Sequence, residues 1–283
     1  MKSYRSGPMR LQILNPVYDR TDEFYLRLVK MAGVETADVA VDLGCGVGRT
    51  LRPLLAAVGP TGHVIAVDSA LSESPTRAGA YVLDEIEHAF ADEIHRKELS
   101  VRRADFTRSW PLEDQSVDVI ICQDVLDWIP DPSHFIEQCY RSLNPEGILF
   151  LSNHDFGSAI FNSTLKDVNR RILTAFVEAD QEWQGTVVDG TVARRIPHFA
   201  ARSSFGHAEV ETVLFVDHTF AEFGYGRSIS QWAAKSARQA GVAEEEIQNW
   251  LCDLAARAEQ ASFYCAMNWV YAKLYKSPAK LQP

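Results

Sequence analysis

Residues 39–51 restrict this chain more than any other stretch. The apolar run Val39, Ala40, Val41 ends at Asp42 and Leu43, and Gly44, Gly46 and Gly48 follow on alternate positions before helical spacing begins near Arg49. That order is a strand, a tight turn and the start of a helix. Such a turn needs residues without Cβ, which reach positive φ and let a ligand lie against the backbone. The helix behind it offers N–H groups and a positive dipole end to whatever fills the turn. A second apolar strand, 63–67, ends in Asp68. In nucleotide-binding βαβ units an acid about twenty residues on accepts hydrogen bonds from ribose hydroxyls. Two features depart from the dinucleotide fingerprint: Arg49 stands where it has glycine or alanine, and Asp42 adds an acid at the first strand's end.

Val41-Asp42-Leu43-Gly44-Cys45-Gly46-Val47-Gly48 resembles, almost letter for letter, the first motif of the class I S-adenosylmethionine-dependent methyltransferases of the small-molecule type. The resemblance implies S-adenosyl-L-methionine as cofactor. It implies a doubly wound, mostly parallel seven-stranded sheet with helices on both faces, an antiparallel last strand and helical lid insertions. Asp42, Gly44, Cys45 and Gly46 would then line the cofactor, with Asp68 and Ser69 after the second strand. After a short strand, 99–103, Asp105 occupies the family's adenine-accepting position, with Phe106 against the ring. Residues 117–122 form a nearly all-apolar fourth strand, and the segment from Gln123 to Pro132 resembles the family's fourth motif. That loop passes the methionine end of the cofactor and opens onto the acceptor, so Gln123 and Trp128 join the cofactor residues. Trp128 stands where many relatives have histidine; it either stacks on the adenine or packs its own loop. Asp124 either orients and deprotonates the acceptor or caps the turn that follows it. Residues 143–150, Leu-Asn-Pro-Glu-Gly-Ile-Leu-Phe, resemble the family's turn into a fifth strand at 148–152.

Five strands alternating with helices are the mark of a doubly wound sheet, in which ligands bind beyond the carboxyl ends where strand order reverses. The glycine turn, Asp68, Asp105 and the Asp124 loop all belong to that edge. His154, in a loop after the fifth strand, is the attractive general base, since histidine is the side chain that titrates near neutrality; the alternative is a solvated loop histidine. Asp155 faces the same edge as a substrate contact, and Trp183 lies near the end of a helical insertion at 157–184. Tyr18 or Tyr25 supplies an aromatic wall from a lid, or packs its own helix. The chain thus divides into an N-terminal helical lid (1–35), a cofactor-binding core (36–153), a helical insertion over the acceptor pocket (154–206), and C-terminal strands and helices completing the same domain (207–283).

At 283 residues the chain can bury a sizeable core. A net charge of −10 argues against a nucleic-acid-coating surface. No run reaches the roughly eighteen apolar residues that a membrane span needs, and no leader-like apolar segment follows the basic start. The five cysteines form no C-x-x-C pair, which suits reduced thiols in a cytoplasmic protein with no metal site. Cys45 reads as a small residue that fits the turn. Aromatic residues on the insertion point to a small, partly apolar acceptor, and the chain leaves room for a homodimer. The expected activity is methyl transfer to an O or N (or C) nucleophile of a small metabolite in secondary metabolism. Two other readings stand beside it: a different reaction of the same cofactor, by aminocarboxypropyl transfer or cyclisation, and a non-catalytic binding module.

Overall fold

A computed structural model describes residues 22–68, 82–106, 108–178, 190–222 and 224–277. Seven strands make one sheet: β1 (Val39–Leu43), β2 (His63–Asp68), β3 (Leu99–Arg103), β4 (Val117–Gln123), β5 (Leu143–Phe161), β6 (His207–Asp217) and β7 (Cys265–Tyr275). Their order is β3-β2-β1-β4-β5-β7-β6. The strands β1 to β5 pair in parallel, and β7 runs antiparallel between β5 and β6. This is the expected doubly wound sheet with its antiparallel last strand.

Alternation along the strands builds two apolar layers. Ala40, Val64, Ala66, Val119, Ile121 and Phe150 face one side. They meet α1 (Asp22–Ala32), α2 (Leu51–Val58), α3 (Val82–Ala89), α6 (Lys166–Glu178), α8 (Tyr225–Gln239) and α9 (Glu244–Glu259). Val41, Leu43, Ile65, Val67, Ile120 and Leu149 face the other side, against α5 (Pro132–Ser142) and α7 (Ile196–Arg202). Each valine, leucine, isoleucine or phenylalanine taken fully out of water contributes about 1.5–3 kcal/mol, so strands buried on both faces read as unbroken apolar runs.

The segment before β3 carries two helices, α3 and α4 (Ala91–His95). Phe90 takes φ −121° between them and its ring is buried, with the Arg52 guanidinium 4.8 Å from the ring centre. The fifth strand does not stop at residue 152. It continues for nine more residues, placing Asn153, His154 and Asp155 opposite Val270, Trp269 and Asn268 of β7. A register shift between Asp155 and Ile160 absorbs the Phe156–Gly157 region. The first part of the expected helical insertion is therefore strand, and its helix begins only at Lys166. The reason is a partner: β7 is eleven residues long, and its unpaired half would leave backbone groups unsatisfied without β5 beside it. Among the described residues, no helix is long and apolar enough to cross a membrane.

Candidate cofactor and acceptor site

Strand order reverses between β1 and β4, and the glycine turn sits at that reversal. Beyond β1, the N–H groups of Gly44 and Cys45 both donate to Val67 O, at 2.8 and 3.1 Å. Gly44, Gly46 and Gly48 all have positive φ (+80°, +49°, +73°). A Cβ on Gly44 would stand 2.4 Å from Val125 Cγ2, so the turn is pressed against the loop after β4. A Cβ on Gly46 would meet nothing within 4 Å. Gly46 N donates to Asp68 Oδ2 at 3.0 Å, and the Thr50 hydroxyl donates to Asp42 Oδ2. A cavity of about 220 Å³ opens here, lined by Tyr25, Asp42, Gly44, Cys45, Gly46, Val47, Arg49, Thr50 and Gln123.

Burial dominates the electrostatics of this cleft. Asp42 is 2% exposed. Burial pushes its carboxyl up to about 7, the Thr50 hydrogen bond pulls it down, and the Asp68 charge raises it again. Burial also raises the Tyr25 hydroxyl; Arg49 opposes this, and the charges of Asp124 and Asp42 add to it. The Cys45 thiol is raised by burial and then by Asp42 and Asp68, so it stays a thiol and serves as a small residue in the turn.

Asp124 follows β4 with φ +52°, a conformation that side-chain-bearing residues rarely adopt and that functional sites often hold. It does not cap the 3-10 turn Leu126–Trp128, whose N-terminal position belongs to Val125. Instead its carboxylate accepts from His154 twice. The backbone N–H lies 2.8 Å from Oδ1, and imidazole Nδ1 lies 2.9 and 3.0 Å from the two oxygens. His154 is 4% exposed and the Asp124 side chain 28%. The rings of Phe215, Tyr225 and Phe156 surround the imidazole at 5.4, 6.0 and 6.5 Å between centres. Behind this pair, on the other sheet face, Asn153 Oδ1 accepts from Leu126 N and Asn153 Nδ2 donates to Asp127 Oδ1, both at 3.0 Å. Asp127 is pushed up to about 7 by burial; the Asn153 bond lowers it and the Asp124 charge raises it.

The structure thus gathers Tyr25, Asp42, Gly44, Cys45, Gly46 and Gln123 in one cavity, with Asp68 bonded to its floor. It brings Asp124 and His154 into direct contact. The remaining expected residues are not among those lining the cavity. Asp105 pairs with Arg108 at 3.2 Å, and Phe106 packs on Phe135 with ring centres 5.8 Å apart. Trp128 N closes the 3-10 turn onto Val125 O. Asp155 accepts from Arg194 Nε at 2.8 Å. Tyr18, Ser69 and Trp183 lie outside the described residues. On the insertion, Phe161 packs on Trp250 and Phe176 on Phe156, both as core, so the apolar surroundings of the site come from the rings around His154 instead. Arg49, Asp127 and Asn153 were given no role by the sequence reading. Asp127 had a signal, an acid inside the apolar string Val125-Leu126-Asp127-Trp128-Ile129. Among the described residues, no group of three His, Cys, Asp or Glu side chains could hold a metal ion.

Residues 41–151 match the family profile described as a methyltransferase domain. The chain is 28% identical over 220 residues to an uncharacterised 37.1 kDa protein of transposon TN4556 from Streptomyces fradiae, covering 77% of this chain and 57% of that protein. It is 32% identical over 156 residues to a ubiquinone biosynthesis O-methyltransferase of Xanthomonas oryzae pv. oryzae, covering 55% and 56%. The chain spans about half the length of the curated relatives it matches. The YcgJ protein of Bacillus subtilis shares the fold with a TM-score of 0.54 at 15% identity, over 89% of this chain and 98% of that one. The glycine turn, the acids around it and the profile match agree: residues 41–151 of this chain match a methyltransferase domain.

Proposed function

We propose that this chain moves a methyl group from S-adenosylmethionine to an oxygen or nitrogen of a small, partly apolar metabolite. The observation that carries the acceptor half of this reading is the Asp124–His154 pair, held beside the glycine-turn cavity. The residues present suit the cofactor. The open space over Gly46 lets a ligand lie on the backbone, and Asp42, Asp68 and Arg49 offer both signs of charge to a zwitterionic, cationic nucleoside. Asp68 and Ser69 would hold ribose hydroxyls, and Asp105 with Phe106 the adenine. When bound, the cofactor supplies a methyl carbon made electrophilic by its sulfonium.

What remains for the protein is positioning and the fate of one proton. Because Nδ1–H donates to Asp124, the basic lone pair of the neutral imidazole is on Nε2. The partly exposed Asp124 carboxylate accepts the hydrogen bond of the acceptor's O–H or N–H. That proton would pass to the carboxylate–imidazole pair, which spreads the charge over two groups. The rings of Phe156, Phe215 and Tyr225 keep water from the imidazole and favour an acceptor with an apolar body. The Xanthomonas relative's name, a ubiquinone biosynthesis O-methyltransferase, supports a hydroxyl acceptor of small-molecule size.

The test is mass spectrometry of the protein incubated with S-adenosylmethionine and a metabolite extract. S-adenosylhomocysteine together with a new species heavier by one methylene is the expected result. Enzyme-dependent methylthioadenosine instead would mean that the other arm of the sulfonium reacts, and methyl transfer would be withdrawn.

A further inference from the structure

Three consecutive residues in the extended part of β5, Asp155, Phe156 and Gly157, each meet the segment 190–194. Asp155 accepts from Arg194 Nε at 2.8 Å, with its side chain 5% exposed against 51% for Arg194. Its other oxygen, Oδ1, is buried with no hydrogen-bond partner among the described residues, so the guanidinium is what compensates the buried charge. Phe156 N donates to Gly190 O at 3.0 Å. A Cβ on Gly157 would stand 2.5 Å from Arg194 Nη2 and 3.0 Å from Thr191 Cγ2. Gly157 does not have positive φ, so what it supplies is room for the guanidinium. Arg194 belongs to the 3-10 turn Val192–Arg195, whose Val192 and Ala193 are buried in the same apolar layer as Leu126 of the loop after β4. The contacts on β5 therefore come from an element that is itself anchored. They fall where the strand needs them: its register with β7 shifts between Asp155 and Ile160, and such an irregularity re-aims side chains while disrupting the ladder that would hold them. The Phe156 ring lies 6.5 Å from the His154 imidazole and within 21° of its plane, with Phe176 edge-on to it at 5.1 Å. Phe215 and Tyr225 are fixed in the core; Phe156 is the half-buried ring of the three.

We propose that Arg194 is a positioning residue for the Asp124–His154 pair. By clamping β5 at Asp155 and over Gly157, it holds Phe156 against the imidazole and so keeps Nδ1 on Asp124. The hydrogen bond to Asp124 fixes one ring atom but lets the ring rock about it, and the nearly parallel Phe156 ring limits that motion. The inference rests on the reading above for what the pair does, while the position of the imidazole is measurable without cofactor or acceptor.

Hydrogen exchange of the His154 Nδ1 proton, followed by NMR and assigned by its loss in His154→Gln, tests it. Asp155→Asn combined with Arg194→Met removes the clamp without stranding a buried carboxylate. Exchange should then be about tenfold faster or more, and formation of S-adenosylhomocysteine with the metabolite extract about tenfold slower. Gly157→Ala alone should act in the same direction by displacing the guanidinium. Added to the double variant it should change exchange by less than about twofold, because the group it displaces is gone. Unchanged exchange in the double variant, even with a lowered melting temperature, overturns the assignment, since that is what a purely structural ion pair would give. So do effects of Gly157→Ala that add in full, and turnover that holds while exchange speeds up. Wild-type protein that forms methylthioadenosine instead withdraws methyl transfer and leaves the exchange pattern to decide whether Arg194 positions the imidazole.

Discussion

Asp42 is a carboxylate held where burial disfavours its charge, on the wall of a cleft that suits a cationic ligand. Its carboxyl is raised to about 7, so near neutrality it is part protonated. A bound sulfonium and ammonium favour the ionised form, and affinity should therefore rise with pH and level off above about 7. Between pH 6 and pH 8, S-adenosylmethionine should bind about tenfold tighter, and Asp42→Asn should flatten that dependence; calorimetry at the two pH values decides it. Asp127 is raised similarly, to about 7, and its consequence is stability. For an acid whose folded value lies above its ordinary 3.8, the stabilisation is fully present below that ordinary value and is lost as pH rises through about 7. Asp127→Asn keeps an oxygen for Asn153 and removes the charge, so its melting temperature above pH 7 should exceed wild type, by about 2–4 °C for each kcal/mol gained. A melting temperature at or below wild type at pH 8 would mean that the charge is stabilised in place. His154→Ala should lower turnover by about 10²–10⁴-fold, the range for a lost general base, with cofactor affinity unchanged; full activity in that variant would retire the pair as the proton acceptor.

Among elements, the glycine turn shows two uses of the same residue type. Gly44 is small because β1's turn and the loop after β4 touch there, with Val125 filling the space a Cβ would need. Gly44→Ala should cost roughly 2–4 kcal/mol through overpacking and positive-φ strain, read as a drop in thermal stability with or without ligand. Gly46 faces open space, so Gly46→Ala should cost only about 1 kcal/mol of backbone strain while weakening S-adenosylhomocysteine binding by tenfold or more. If both variants lost stability equally and Gly46→Ala kept its affinity, the ligand would not lie over that residue. Asn153 ties β5 to the 3-10 turn after β4 through two buried bonds. It thereby steadies the loop that carries Asp124 in its left-handed conformation.

Over the whole molecule, the overrun of β5, β7 and β6 past the ends of the parallel strands makes a wall above the carboxyl edge. That wall carries His154 on β5, faced by Trp269 on β7 and Phe215 on β6. The sheet order puts the wall beside the reversal between β1 and β4, so the glycine turn and the Asp124–His154 pair lie along the same edge of the sheet. Ligand binding should therefore stabilise the domain as a unit. At about 100 times its dissociation constant, S-adenosylhomocysteine contributes about 2.7 kcal/mol and should raise the melting temperature by about 5–10 °C. Asp68→Ala should lose about half of that shift or more, because the acid bonded to Gly46 N holds the ribose in this reading and its loss costs about 10-fold or more in affinity.

The sequence by itself determined the parallel half of the fold and the cofactor turn. Both are local: alternate glycines set φ within a few residues, an acid stands at or near the end of each of the first four strands, and apolar runs between turns need no distant partner to be read. It also marked Asp124 and His154, but as loop residues with open roles. Only the tertiary structure decided that they form a pair. His154 lies thirty residues beyond Asp124, in a strand extended by β7, more than a hundred residues later in the chain. The burial of Asp42 and Asp127, the contact of Tyr25 with Arg49 and the separation of Asp155 towards Arg194 were hidden for the same reason. Each depends on which sheet face a residue occupies and on what packs over it, and strand pairing across long sequence separations sets both.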